Sequence, residues 1–190
     1  MIVNRENPRI LRIEYRPDPG DRHRGRCLWA YFDFDLDHWL LNIQSDCGSA
    51  AFGWPENSSE SFVEFCSTLH ADYLTKKMFR KSVVDIKATI ENVKDYLSDM
   101  ELPRKKRNAA IDGLKATFEE YNCTHSIDLA SYLLEDWNYT YGLEIDEAWD
   151  LVIDDYTSDE KKIVDIFISQ IAPELRAMVQ EERRSRRETG

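Results

Sequence analysis

At Pro55 the hydrophobic pattern of this chain changes period, and that change limits what the chain can fold into more than any other feature. Before it, apolar and polar residues alternate in short runs bounded by turn formers, as in strands with one buried face. Leu11, Ile13 and Tyr15 alternate with Arg12 and Glu14, and Pro17-Asp18-Pro19-Gly20-Asp21 ends that run. Residues 26–36 read as a second strand, with Leu28, Ala30, Phe32, Phe34 and Leu36 on one side and Cys27, Trp29, Tyr31, Asp33 and Asp35 on the other. Residues 39–44 and 49–54 give two more, joined by a Ser45-Asp46-Cys47-Gly48 turn in which Gly48 can take positive φ. The expected product is an antiparallel meander of three or four strands.

After Pro55 apolar residues recur three and four apart, the spacing of an amphipathic helix face. Asn57 with Glu60, or Ser61 with Glu64, offers a capping box for a helix bearing Phe62, Phe65, Cys66 and Leu69, and a short helix follows over residues 71–78. Val83, Ile86, Ile90, Val93 and Leu97 form one stripe, predicting a helix that ends near Met100. Pro103 suits the first turn of the next, whose Ile111, Leu114, Phe118 and Tyr121 share a face. Helices are also predicted over 126–137 and 145–154, and from Thr157 to the end with Pro173 kinking or splitting the last. Strands followed by helices imply an α+β fold: a small N-terminal meander packed with about six helices. The chain reads as one domain over residues 1–190, β-rich over 1–54 and helical over 57–187. Residues 98–103 and 138–142 are the best internal boundaries.

Charge is distributed unevenly. Of 36 Asp and Glu, eight lie in residues 31–75 and eleven in 122–160, and neither stretch contains Lys or Arg. With a formal net charge of -11, these blocks hold -19 and the remainder is basic, at Arg22 to Arg26, Lys76 to Lys81, Arg104 to Arg107 and Arg183 to Arg187. Single-sign fields of this length repel nucleic-acid phosphate and attract basic surfaces. The expected contact residues are Asp33, Asp35, Asp37, Glu135, Asp136, Glu144, Asp146, Glu147, Asp150, Asp154 and Asp155, and the expected partner is a protein with a basic surface. Direct nucleic-acid binding and membrane binding are not expected. No apolar run is long enough for a bilayer and the N-terminus has no signal core, so the chain is expected to be cytoplasmic.

Few residue patterns point to chemistry. Asp33, Asp35 and Asp37 alternate, so their carboxylates share a face and could approach a divalent cation, the basis of an alternative reading as a metal-dependent enzyme. The EF-hand register fails, because His38 stands where glycine is needed and Gln44 where a bidentate Glu belongs. His38, His70 and Asp72 have no spacing that gathers them. Cys27, Cys47, Cys66 and Cys123 form no C-x-x-C pair, which favours reduced thiols, and Asp46 beside Cys47 would raise a thiol pKa rather than activate it. Seven glycines and no phosphate-loop, dinucleotide or hydrolase motif leave no cofactor, metal or catalytic residue expected. Trp29, Trp39, Trp54, Trp137 and Trp149 fall on apolar faces and are expected in the core.

One resemblance adds a setting. The stretch Ile43-Gln44-Ser45-Asp46-Cys47-Gly48-Ser49-Ala50-Ala51-Phe52-Gly53-Trp54, then Ser61-Phe62-Val63-Glu64-Phe65 and Ala71-Asp72-Tyr73-Leu74-Thr75-Lys76-Lys77-Met78, resembles a family of small bacteriophage and prophage proteins with an S-D-x-G-x-x-A-x-x-W motif and a D-Y-L-x-x-K segment. The Ile171-Ala172-Pro173-Glu174-Leu175 helix is similar to the family's closing I-W-P-x-F helix, with Ala172 in place of Trp. Cys47 stands where an aromatic is more typical. The likeness is strongest over residues 28–98 and implies a phage genome in a bacterial cell, without a chemistry. Together with the acidic blocks it implies a non-enzymatic accessory protein that binds a host or phage protein, such as an inhibitor covering the nucleic-acid-binding surface of a CRISPR effector. A structural or oligomeric phage protein is the other alternative.

Overall fold

The computed structural model describes residues 7–57 and 59–188, and within them the change of period at Pro55 is a change of element type. Four strands, β1 (Ile10–Tyr15), β2 (Ala30–Asp35), β3 (Leu40–Ser45) and β4 (Gly48–Gly53), form an antiparallel sheet in sequence order. Helices α1 (Phe62–Ser67), α2 (Ala71–Met78), α3 (Ile86–Asp99), α4 (Arg104–Tyr121), α5 (Ile127–Tyr141), α6 (Ser158–Ile166) and α7 (Ala172–Glu188) follow, confirming the α+β class. A π-helical turn, Phe167–Ile171, joins α6 to α7, so the described residues hold six continuous helices.

The chain divides into two compact units, residues 1–80 with 158–190, and residues 81–157. The first is discontinuous in sequence. Neither breakpoint is one of the boundaries proposed from composition: 98–103 is the α3 to α4 connection and 138–142 the end of α5, both inside the second unit.

In the first unit Phe32, Phe34, Leu41 and Ile43 on the inner sheet face are fully buried. They pack with Phe62 and Cys66 of α1, Leu74 of α2, and Ile163, Ile166, Phe167, Ile171 and Leu175 of the C-terminal rod. Phe167 meets both Phe32 and Phe34, with ring centroids 5.9 and 6.4 Å apart. In the second unit α3, α4 and α5 enclose Val93, Leu97, Leu114, Phe118, Leu134 and Trp137. The Trp137 indole donates to the Ala110 carbonyl at 2.7 Å.

Several expectations shift for local reasons. β2 starts at Ala30 rather than residue 26, because the Asp46 carboxylate takes the Leu28 and Trp29 N–H groups out of ladder pairing. Trp39 adopts φ 52° in the preceding turn, so β3 starts at Leu40. Val83 and Val84 are not helical: they form β5 (Val83–Val84), paired with β6 (Asp154–Asp155), and Asp85 caps α3 by accepting from Ala88 N at 2.9 Å. The helix expected over 145–154 is reduced to a 3₁₀ turn, Ala148–Leu151, because Glu144 and Glu147 sit at positive φ and Asp154 enters the ladder. Pro173 does not break its helix. It lies just after the π turn, where the backbone is already widened and the Ala172 N–H bonds to Phe167, so the bond that proline cannot make is not required. Trp39, Trp54 and Trp137 are buried, but Trp29 is only half-buried and Trp149 is exposed.

Truncating Phe34 or Phe167 to Ala should cost about 3–5 kcal/mol in urea unfolding, because each removes a fully buried ring at the sheet-to-rod contact. Gly113 lies within α4, and a Cβ there would fall 2.0 Å from the Tyr141 hydroxyl. Gly113→Ala should therefore destabilise the wild-type chain yet stabilise a Tyr141→Ala chain by about 1 kcal/mol, the helix-propensity gain, in a double-mutant cycle followed by thermal melts.

Candidate functional site

In the first acidic block Asp33, Asp35, Asp37 and Glu64 are each held by a basic partner. Asp33 on the outer face of β2 accepts two bonds from Arg12, Nε to Oδ1 at 2.6 Å and Nη2 to Oδ2 at 2.7 Å. Asp37 is in the turn after β2, not on the strand, and accepts from the Arg9 backbone N–H and Nε, both at 2.8 Å. Asp35 is buried and accepts from the Asp37 and His38 backbone N–H groups, while its other oxygen is 2.9 Å from His38 Nδ1. Glu64 is paired with Arg183. The carboxylates expected to share one open face are thus held separately by basic residues from β1 and neighbouring segments, with no shared cation-binding arrangement.

The second block is different. Residues 81–157 contain eight Lys or Arg and seventeen Asp or Glu, a net charge of -9, against -2 for the other unit. Within the second unit, residues 81–121 balance eight against eight, so the whole excess lies in 122–157, where nine acids meet no Lys or Arg. Asp154 is paired with Lys81 at 2.7 Å, and Glu135 accepts from the Trp149 N–H at 3.2 Å. Asp128, Asp136, Glu144, Asp146, Glu147 and Asp150 are exposed and make no ion pair among the described residues.

Aromatic side chains stand among these carboxylates. Along α5, Asp128, Tyr132, Glu135, Asp136 and Tyr139 recur at spacings of three and four on one stripe. Tyr132 is 67% exposed and Tyr139 87%. Asn138 anchors the following loop by donating to the Ile145 carbonyl at 2.8 Å and accepting from its N–H at 3.1 Å. The Glu135 bond then places exposed Trp149 beside the stripe. Glu144 and Glu147 occupy the left-handed backbone region, at φ 57° and 54°, where a residue with a Cβ is strained by about 1–2 kcal/mol. A cleft of about 390 Å³ runs between α4 and α5, lined by Glu120, Tyr121, Tyr132, Asp136 and Thr140 among others. The sequence reading found the acids here but placed Trp149 in the core and passed over Tyr132 and Tyr139. Their spacing relative to the buried Ala130, Leu133, Leu134 and Trp137 was the available signal.

The arrangement offers negative charge and exposed ring faces, the elements that bind ammonium and guanidinium groups. Comparison with known sequences supplies the setting: the model of the phage family Phage_phiTE_072 matches residues 9–177, spanning both units. The protein belongs to this phage family. No curated protein and no solved structure matches the chain. Among the described residues of this phage protein no helix is long and apolar enough to cross a membrane.

The pairing of Asp37 has a pH signature. Hydrogen bonds from Arg9 hold its carboxyl below the ordinary 3.8. A depressed folded-state pKa gives a contribution that is complete above the ordinary value and lost as pH falls through the folded one. In an NMR titration Asp37 should titrate below the ordinary range, and Arg9→Ala should move it upward.

Proposed function

We propose that this phage protein is a non-enzymatic accessory protein that docks through its second unit onto a basic protein surface. The observation carrying this reading is the concentration of all the second unit's excess charge in residues 122–157, where exposed Tyr132, Tyr139 and Trp149 stand among carboxylates without ion pairs. Basic surfaces in an infected bacterium belong largely to proteins that bind nucleic acid, and a defence complex such as a CRISPR effector is the specific partner proposed. Acidic steering would raise the association rate, and the aromatic rings would supply the buried contact that slows dissociation. The strained backbone of Glu144 and Glu147 supports the same reading, because glycine would relieve the strain and glutamate supplies charge. Asp33, Asp35 and Asp37, paired within their own unit, are not part of this surface.

Capture from bacterial lysate, followed by binding of the captured partner and of a purified CRISPR effector at graded salt, tests the proposal. A partner with a basic surface should be retained at low salt, released as salt rises, and lost to Asp136→Lys/Glu147→Lys/Asp150→Lys, while Asp33→Asn/Asp37→Asn binds as wild type. Retention of the same partner by the charge-reversed triple variant would remove the basis for the proposal. Tyr139→Ala should weaken binding about tenfold, equivalent to about 1.4 kcal/mol, with an unchanged melting temperature because the ring is almost fully exposed.

A further inference from the structure

One side-chain cluster lies outside the acidic surface. The antiparallel register of β2 and β3, with Ala30 opposite Ser45, brings the segment preceding β2 alongside the turn between β3 and β4. Cys27 Sγ, an Asp46 carboxylate oxygen and Cys47 Sγ all lie within 4.8 Å of one another. Among the described residues no other group of three or more His, Cys, Asp or Glu donors comes together in this way. All four cysteines are free.

The geometry suits a soft divalent cation, and we propose that Cys27, Asp46 and Cys47 form a binding site for a zinc-like ion. Thiolates prefer zinc and its neighbours over magnesium or calcium. Tetrahedral zinc at about 2.3 Å from each sulfur sets sulfurs about 3.8 Å apart, so the three donors need close by no more than about an ångström. Asp46 is already oriented: its carboxylate accepts from Leu28 N at 2.9 Å and Trp29 N at 3.4 Å, the outer bonding that holds a metal-binding carboxylate in place. Asp46 is exposed, which gives the ion a path from solvent and leaves a fourth position for water.

Binding exchanges protons and involves no electron transfer. The Cys27 thiol, which donates to Asp46 at 3.4 Å, and the Cys47 thiol, which donates to the Arg26 carbonyl at 3.0 Å, each release one proton, and two sulfur-to-metal bonds form. Two thiolates and one carboxylate around a divalent ion leave one negative charge. Burial pushes the Cys47 thiol up, while the Cys27 hydrogen bond and Lys162 favour its thiolate. The bound ion would clip the segment before β2 to the β3–β4 turn and stabilise the first unit by mass action. Sequence spacing conceals the site because its cysteines are twenty residues apart, and only the hairpin register brings them together.

Cobalt(II) titration of the intact protein under a phosphine reductant tests the site. One equivalent should produce a thiolate-to-cobalt charge-transfer band with the visible bands of a tetrahedral ion, and zinc should displace both. Cys47→Ser and Cys27→Ser should abolish the charge-transfer band, Asp46→Asn should weaken cobalt binding at least tenfold, and Cys123→Ser should leave it unchanged. If Cys27→Ser does not fold, Cys47→Ser and Asp46→Asn decide the matter, with circular dichroism confirming their fold. No band at millimolar cobalt, or a band that survives in both folded variants, would overturn the proposal.

Discussion

The first unit depends on Phe32 and Phe34 meeting Phe167 from more than 130 residues further along the chain. A four-stranded sheet with one apolar face cannot remain open to water, and α1 and α2 are too short to cover it alone. The C-terminal rod completes the cover, so residues 81–157 are carried as an insertion within a unit whose two sequence parts must find each other. Burial of those rings relates the π turn to the sheet, since Phe167 opens that turn and Ile171 closes it, both buried. Pro173, placed directly after, adds no break to a helix already widened.

The same long-range pairing determines what becomes of the charges. β1 lies beside β2, and Arg9 and Arg12 pair with Asp37 and Asp33, so two carboxylates of a sequence block with no basic residue end in ion pairs. Exposed pairs of this kind add little stability, but they remove the local field on which docking through this face would rest. In residues 122–157 Lys81, just before β5, pairs with Asp154, and six exposed carboxylates make no ion pair among the described residues. The charge surplus therefore belongs to one unit rather than to two cooperating segments.

Much of the fold was legible in the sequence. Alternation marked the four strands, and threefold and fourfold spacing marked α1 to α5 and the C-terminal rod, because burial of one face imposes those periods. The readings that moved did so where a side chain competed with the backbone. Asp46 diverted Leu28 and Trp29 from β2, Asp85 began α3 two residues after a β-branched pair that forms a ladder, and left-handed Glu144 and Glu147 prevented a helix. The candidate surface was half legible: its acids were visible as a block, whereas exposure of Trp149 follows from a 3₁₀ turn that the apolar spacing had suggested to be a helix.

The sequence alone determined the α+β class, the order of the four sheet strands and of the main helices, and the absence of basic residues from two long stretches, because local periodicity and composition need no partner to be read. Only the tertiary structure decided which acids are neutralised, that the chain forms two compact units with one inserted in the other, and that Cys27 approaches Cys47. Those outcomes depend on which remote segments are brought into contact, and contact between remote segments is set by burial of the sheet face and by strand register rather than by any local pattern.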